Sequence, residues 1–154
     1  MDAAFRLIKT KLYWPLPGRE TLRRPRLIEL LDSGRDLPLT LLTAPAGSGK
    51  TTLLCDWLTT YPGLSAWLSL DEGDGDLGVF LSYFVAAIQT AIPGACASVQ
   101  AMLQAAELPP QHVLAAALSN EIDSLRAEAA LAAGQRLVLV LDDYHLLHSQ
   151  AVDE

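Results

Sequence analysis

The segment Ala44-Pro45-Ala46-Gly47-Ser48-Gly49-Lys50-Thr51 follows an apolar run, Leu37 to Thr43, and precedes a segment with helical spacing. It matches the pattern G-x-x-x-x-G-K-[ST] at every position except the first, where alanine, the next smallest residue, replaces glycine. Gly47 and Gly49 allow positive φ angles, which turn consecutive backbone N–H groups into a concavity for anionic oxygens. A helix that begins near Gly49 adds four unpaired N–H groups at the same point. The segment is therefore predicted to bind phosphate.

Lys50 and Thr51 suit the phosphates of a bound nucleotide. The lysine would supply a positive charge to the β- and γ-phosphates, and the threonine hydroxyl would be a ligand of Mg²⁺. The alternative interpretation is a glycine-rich surface turn with an incidental lysine, and the strand and helix patterns on either side argue against it. The predicted nucleotide-binding residues are Ala44, Pro45, Ala46, Gly47, Ser48, Gly49, Lys50, Thr51 and Thr52.

Two carboxylates follow a second apolar run, Leu137 to Leu141. A continuously apolar run predicts a buried parallel strand, and open α/β sheets bind ligands at the carboxyl ends of their strands. Asp142 is predicted to hold Mg²⁺ together with Thr51, as a Walker B residue does. Asp143 is the predicted catalytic residue, which would orient an attacking water. Alone, the run could equally end in a surface turn, but the phosphate loop earlier in the chain favours the Walker B interpretation.

Composition and charge limit the classes of protein to which the chain can belong. Its 154 residues are 51% hydrophobic and 19% charged, which is typical of a globular domain. Residues 1–35 carry eight Lys/Arg against four Asp/Glu, and the remainder carries three against fourteen. The acidic body argues against a nucleic-acid groove, because phosphate contacts dominate that affinity. No window approaches the roughly 18 apolar residues of a membrane span, and no signal-peptide pattern is present, so we expect a cytoplasmic protein without a membrane partner.

Cysteines and histidines give no sign of a metal site. Cys55 and Cys96 lie far apart without C-x-x-C spacing, which favours free buried thiols. His145 and His148 could share a metal, but no further ligand stands at suitable spacing. The acidic turn from Asp71 to Asp76 lacks the spacing and the closing glutamate of a calcium loop.

Residues 1–26 are basic and interrupted by proline and glycine, which predicts an extended arm rather than a packed element. The arm is either a mobile terminus, or its Arg23, Arg24 and Arg26 lie over the nucleotide or a neighbouring domain.

Hydrophobic periodicity and helix-boundary residues predict the remaining elements. The overall prediction is an α/β, three-layer P-loop NTPase fold with a mostly parallel sheet, truncated after the Walker B strand. Residues 1–35 would form the basic arm and a short helix, and residues 36–154 an incomplete P-loop NTPase domain. Strands are predicted over Leu39 to Thr43, Ser65 to Leu70 and Leu137 to Leu141, and helices from Pro25 to Gly34, after the phosphate loop to Tyr61, from Asp76 to Pro93, around Ser98 to Ala106, and from Pro110 to Gly134.

Five segments, taken in order along almost the whole chain, resemble the nucleotide-binding domain of MalT-type regulators. These are large LuxR-family transcriptional activators of the signal-transduction ATPase (STAND) class. The segment of the second strand and the Asp-Asp-Tyr-His segment are more diagnostic than the phosphate loop. The resemblance is carried by Ile8 to Leu12, Arg24 to Leu27, Leu39 to Leu54, Ala66 to Glu72, and Leu141 to His145.

The resemblance implies an ATP-driven switch with ATP/ADP and Mg²⁺ as cofactors. In such proteins ADP holds a resting form, while ATP with a small inducer favours a self-associating form that binds promoters through a C-terminal helix-turn-helix. DNA would thus be contacted only through a domain absent from this sequence. The resemblance also implies that Arg24, Pro25 and Arg26 contact the base side of the nucleotide.

Family members continue through a sensor strand, which lies between the phosphate-loop strand and the Asp-Asp strand. A sheet without its middle strand leaves backbone groups unpaired, each costing about 1–3 kcal/mol if buried. We therefore expect these 154 residues alone to be marginally stable and inactive, with weak ATPase activity in the longer parent. The alternatives are a generic P-loop enzyme (an AAA-type ATPase or small-molecule kinase) and a degenerate remnant. Kinases usually clamp the phosphoryl group with several cations, whereas only Arg126 and Arg136 follow Lys50.

Overall fold

A computed structural model describes residues 7–16, 22–127 and 136–147. Contacts divide these residues into two compact units, one made of the chain up to Trp14 and from Gly63 onward, the other running from Pro15 to Pro62. The predicted boundary at residue 36 stays a prediction. The described elements are helices α1 (Pro25–Gly34), α2 (Lys50–Thr60), α3 (Leu77–Ala91), α4 (Ala97–Leu103) and α5 (Gln111–Ala127), strands β1 (Leu64–Ser69) and β2 (Leu137–Asp142), and 3₁₀ turns at Lys9–Leu12, Glu72–Gly75 and Tyr144–Leu146.

The first unit is built on a parallel pair of strands, which confirms the α/β fold class. The register joins Leu64 to Leu137 at one end and Ser69 to Asp142 at the other. Parallel strands need a long crossover connection, and α3, α4 and α5 lie between these two in sequence. Residues 66–68 at the centre of β1 are at most 1% exposed, so this strand is covered on both faces, as is usual for parallel strands.

Helix α3 begins and ends where its sequence predicts. The Asp76 carboxylate accepts a hydrogen bond of 2.9 Å from the Val79 N–H, which caps the first turn. The helix stops at Ala91, before Pro93-Gly94. Helix α5 is described as far as Ala127, so its predicted end at Gly134 lies outside the described residues, as does His148.

The N-terminal arm is not extended throughout, and the prediction is wrong for its first described part. Residues Lys9–Leu12 form a 3₁₀ turn, and Leu12 is buried in the core of the first unit at 8% exposure. The Lys11 ammonium lies 2.7 Å from Asp71 and 2.8 Å from Asp74. It also stands 4.8 Å from the centre of the Tyr83 ring. These partners come from residues far along the chain, which is why local composition did not predict them.

The charges of Lys11, Asp71 and Asp74, the Lys11 cluster, stabilise one another. Burial alone would lower the pKa of Lys11, but its hydrogen bonds and charge interactions with Asp71 and Asp74 outweigh burial and raise it. The hydrogen bond from Lys11 holds the pKa of Asp71 below its usual value. The Asp74 side chain, only 2% exposed, also accepts from the Asp71 N–H at 2.9 Å. The cluster therefore attaches the arm to the turn after β1.

The strand predicted over Leu39 to Thr43 is not formed, and this prediction is also wrong. Residues 37–45 have no regular secondary structure, and Leu37, Leu39 and Leu41 are 64%, 79% and 79% exposed. A strand needs a neighbour for its backbone N–H and C=O groups. The sheet found in the described residues consists of β1 and β2, which pair with each other. An apolar run without a pairing strand therefore remains irregular.

Candidate nucleotide-binding site

The phosphate loop has the backbone that its glycines predict. Gly47 and Gly49 have φ angles of 74° and 84°, in the left-handed region. The Ser48 N–H donates to the Pro45 carbonyl at 3.3 Å, which closes the turn. Gly49 is the N-cap of α2 and provides no side-chain cap. No side chain therefore caps the start of this 11-residue helix, and a helix N-terminus of this kind is a favourable place for an anion.

The Lys50 ammonium is directed back at the loop. It donates to the Ala44 carbonyl at 2.8 Å and to the Pro45 carbonyl at 3.2 Å. Carbonyl oxygens are neutral acceptors, whereas a phosphate oxygen carries negative charge and adds Coulomb attraction to its hydrogen bond with the ammonium. A phosphate would therefore compete well for this ammonium.

Ser48 contributes an unsatisfied polar atom to the same loop. Its hydroxyl oxygen is buried and has no hydrogen-bond partner in the part of the chain that the structure describes. Buried hydroxyls normally find a partner, because leaving one unpaired costs about 1–3 kcal/mol. An unpaired hydroxyl, uncapped helix amides and a lysine thus occur together in residues 48–52, and this donor set fits a polyphosphate.

Arg24 extends the site beyond the loop. A Cβ built on Gly49 would lie 3.6 Å from Nη2 and 3.9 Å from Cζ of Arg24. Pro25 is the first residue of α1, where its fixed φ suits a helix start. Arg26 is exposed, and its side chain has no hydrogen bond or ion pair within the described ranges. Of the three residues assigned by resemblance, Arg24 is the one that the structure brings to the loop.

A comparison with known families agrees with this geometry. The model of the family described as "AAA ATPase domain" matches residues 15–154, which is most of the chain. The chain belongs to the AAA ATPase domain family. Membership of this family implies that the domain binds a nucleotide, and it confirms the predicted P-loop NTPase class.

Individual relatives of the ATPase domain are bacterial regulators. It is 40% identical over 149 residues to the HTH-type transcriptional regulator MalT of Klebsiella pneumoniae and 42% identical over 149 residues to that of Cronobacter sakazakii. It is 36% identical over 148 residues to the MalT of Yersinia pestis. Each alignment covers 96% of this chain and 15% of the relative. The chain therefore spans about 15% of the length of these curated relatives.

The two predicted carboxylates of the ATPase domain lie at the end of β2. Asp142 is the last residue of the strand, and 9% of it is exposed. Its carbonyl accepts from the Leu70 N–H at 3.0 Å, which fixes its backbone beside the end of β1. Asp143 has a φ of 58°, and its half-exposed carboxylate stands 4.0 Å from Nδ1 of His145. The strand thus ends in one buried and one accessible carboxylate.

These carboxylates and the phosphate loop belong to different units of the structure, so their joint contact with Mg²⁺ stays a prediction. Among the described residues, no group of three or more His, Cys, Asp or Glu could hold a metal ion by itself. Mg²⁺ usually takes one or two protein ligands together with phosphate oxygens and water. Thr51 and Asp142 supply donors of that kind. None of the helices described is long and apolar enough to cross a membrane.

The sequence did not predict two features of the site. The hydrogen bonds of Lys50 to its own loop and the burial of the Ser48 hydroxyl depend on the folded path of residues 44–48. The sequence motif specifies the residue types of the loop, whereas these contacts depend on the folded conformation of the loop. For Arg24, composition leaves a mobile arm and a place over the nucleotide or a neighbouring domain both open, and the resemblance implies the base side of the nucleotide.

Proposed function

We propose that this ATPase domain is the ATP-binding switch of a MalT-like transcriptional regulator. The observation that supports the proposal most directly is the phosphate loop itself, with two left-handed glycines and an uncapped helix N-terminus. The identity of 36–42% to regulators named MalT, over 96% of this chain, indicates which kind of ATPase it resembles.

Each part of the proposed site has a separate task. Backbone N–H groups at Gly47 to Thr51 bind the phosphates, and Lys50 neutralises their charge. Mg²⁺, when bound, would be held by Thr51 and Asp142 and would neutralise the charge between the β- and γ-phosphates. Asp143 is the residue that would position an attacking water, since its carboxylate is accessible. We expect hydrolysis by such a site to be slow, as suits a switch rather than a metabolic enzyme.

The proposed output is a change of state in a larger protein. ADP would stabilise a resting form, and ATP with a small inducer would stabilise a self-associating form that binds DNA through another domain. Nucleotide exchange can shift these two forms only by its differential affinity for them. A regulator of this kind would act in the cytoplasm, where both nucleotide and promoter are present.

The test is nucleotide affinity of the intact protein, measured by calorimetry with Mg-ATP and Mg-ADP. Lys50→Ala removes the phosphate-side charge and is expected to weaken both nucleotides by at least about tenfold, because a hydrogen bond to a charged group contributes about 1.5–3 kcal/mol. Lys9→Ala is the matched control, since Lys9 is exposed and lies outside the phosphate-loop motif in the sequence. Equal affinities of Lys50→Ala and wild type would refute the proposal.

The two aspartates are separated by a different pair of measurements. Asp142→Asn is expected to weaken nucleotide binding only when Mg²⁺ is present. Asp143→Asn is expected to leave affinity unchanged and to lower the hydrolysis rate, and asparagine tolerates the left-handed backbone found there. If Asp142→Asn weakens binding equally with and without Mg²⁺, the assignment of Asp142 to the metal is wrong.

A further inference from the structure

The position of Arg24 relative to the phosphate loop carries an inference that rests on the proposed function and refines it. The resemblance implies that the segment from Arg24 to Arg26 faces the base of the nucleotide. In the structure, however, the Arg24 guanidinium lies next to Gly49, with its Nη2 3.6 Å from the point where a Cβ would stand. Gly49 is the residue whose left-handed backbone opens α2 and aims its first amides.

Two helices hold Arg24 in this place. Its backbone is the N-cap of α1, and its carbonyl accepts from the N–H groups of Leu27 and Ile28 at 3.0 and 3.1 Å. Helix α1 is attached to α2 by a 2.9 Å hydrogen bond from the Trp57 indole to the Asp32 carboxylate. This hydrogen bond therefore joins the helix that begins next to Arg24 to the helix that begins at the phosphate loop.

A second link between these helices involves the preceding residue. Arg23 stands 3.8 Å from Asp56 of α2, and this carboxylate is largely buried. Arg24, by contrast, has no ion pair or side-chain hydrogen bond within the described ranges. Of two adjacent arginines, one is therefore paired with a carboxylate, whereas the other lies at the loop without a carboxylate partner among the described residues.

The chemistry of this arrangement favours phosphate over base. A guanidinium presents a planar set of N–H donors that matches two phosphate oxygens. Lys50 is the cation of the phosphate-loop motif, and its ammonium donates hydrogen bonds to neutral carbonyls of the loop. From these contacts we propose that Arg24 is a second phosphate-binding cation of the site, contacting the nucleotide on its phosphate side.

The proposal makes Arg24 a residue that distinguishes nucleotides by their phosphates. Its contribution should be large for ADP and ATP and absent for adenosine. It should also appear with inorganic pyrophosphate, which has no base. A residue that contacts the base would behave in the opposite way, because it would affect the choice between adenine and hypoxanthine and leave pyrophosphate unchanged.

The experiment compares Arg24→Gln, Arg24→Lys and the control Arg35→Gln in the intact protein. Arg35 is exposed at the other end of α1, so its substitution removes the same charge away from the loop. Affinities for ADP, inosine diphosphate and pyrophosphate are measured with Mg²⁺. Arg24→Gln is expected to lower the affinities for ADP and for pyrophosphate by about tenfold or more, and Arg24→Lys is expected to lower them by less. The ratio of ADP to inosine diphosphate affinity should stay that of wild type.

Two results would overturn the inference: an altered ADP to inosine diphosphate ratio with unchanged pyrophosphate affinity, or no effect of Arg24→Gln on any of the three ligands. The Lys50→Ala variant keeps this outcome separate from the proposed function. If Lys50→Ala weakens ADP and Arg24→Gln does not, only the role of Arg24 is refuted. If neither weakens ADP, the nucleotide-binding function is refuted as well.

Discussion

Replacing Lys11 with methionine is expected to be among the most damaging single changes in the first unit. Lys11 is 12% exposed, and its ammonium makes two 2.8 Å hydrogen bonds to the Asp74 carboxylate, which is 2% exposed. Without the lysine, that carboxylate retains the Asp71 N–H as its partner. Removing one partner of a buried ion pair costs about 3–5 kcal/mol, and the lost contact with the Tyr83 ring adds about 0.5–1 kcal/mol.

This loss is large against the roughly 5–15 kcal/mol that stabilises a typical domain. The reverse change, Asp74→Asn, should cost less, because Lys11 keeps Asp71 at 2.7 Å and asparagine still accepts from the Asp71 N–H. The double variant Lys11→Met/Asp74→Asn removes both charges and should recover most of the loss. The asymmetry between the single variants is thus a direct consequence of the contacts.

Urea unfolding followed by tryptophan fluorescence measures these differences, because Trp67 lies fully buried in the same unit. The cluster contributes between about pH 4 and 10. The pKa of Asp71 is lowered, so its contribution is lost as the pH falls through its folded value, and the pKa of Lys11 is raised, so its contribution is lost as the pH rises through its own. A single variant Lys11→Met within 1 kcal/mol of wild type, or a double variant no better than it, would show the reasoning to be wrong.

Three further predictions concern other parts of the chain. Gly49→Ala places a Cβ at a φ of 84° and should lower stability by about 1–2 kcal/mol in thermal unfolding, whereas Gly34→Ala, at a helix end with ordinary φ, should not. Burial raises the pKa of Glu121, but hydrogen bonds from the start of α4 outweigh burial and lower the pKa. Glu121→Gln should therefore lower the free energy of unfolding by about 1 kcal/mol at neutral pH, and this difference from wild type should vanish when unfolding is measured in acid. Burial, with the nearby charge of Glu121, raises the pKa of Cys96, so a thiol reagent should modify this cysteine more slowly than free cysteine at neutral pH, and rapid modification would contradict its burial.

Features that depend on near neighbours in sequence could be predicted well. The positive φ angles of Gly47 and Gly49 follow from a motif of eight residues, and the Asp76 cap from a hydrogen bond three residues away. Strands β1 and β2 were recognisable because each is a short apolar run bounded by turn residues. The family resemblance rests on the same local segments, and the match over residues 15–154 together with 36–42% identity to MalT regulators confirms it.

Partner choice over long distances could not be predicted in this way. The apolar run from Leu39 to Thr43 has the composition of a strand, yet whether it forms one depends on a neighbour that composition does not specify. The arm has the composition of an extended segment, yet Lys11 is held by Asp74, which stands 63 residues away in sequence.

The sequence by itself determined the phosphate loop, the α/β class and the places of the helices and of β1 and β2, because backbone φ preferences, capping hydrogen bonds and hydrophobic periodicity act over a few residues. Only the tertiary structure decided that Lys11 is buried against two carboxylates and that Arg24, rather than Arg26, lies at Gly49. Ion pairing and the approach of a side chain to a distant loop depend on how helices pack, and residues separated in sequence are brought together by burial and geometry rather than by their local pattern.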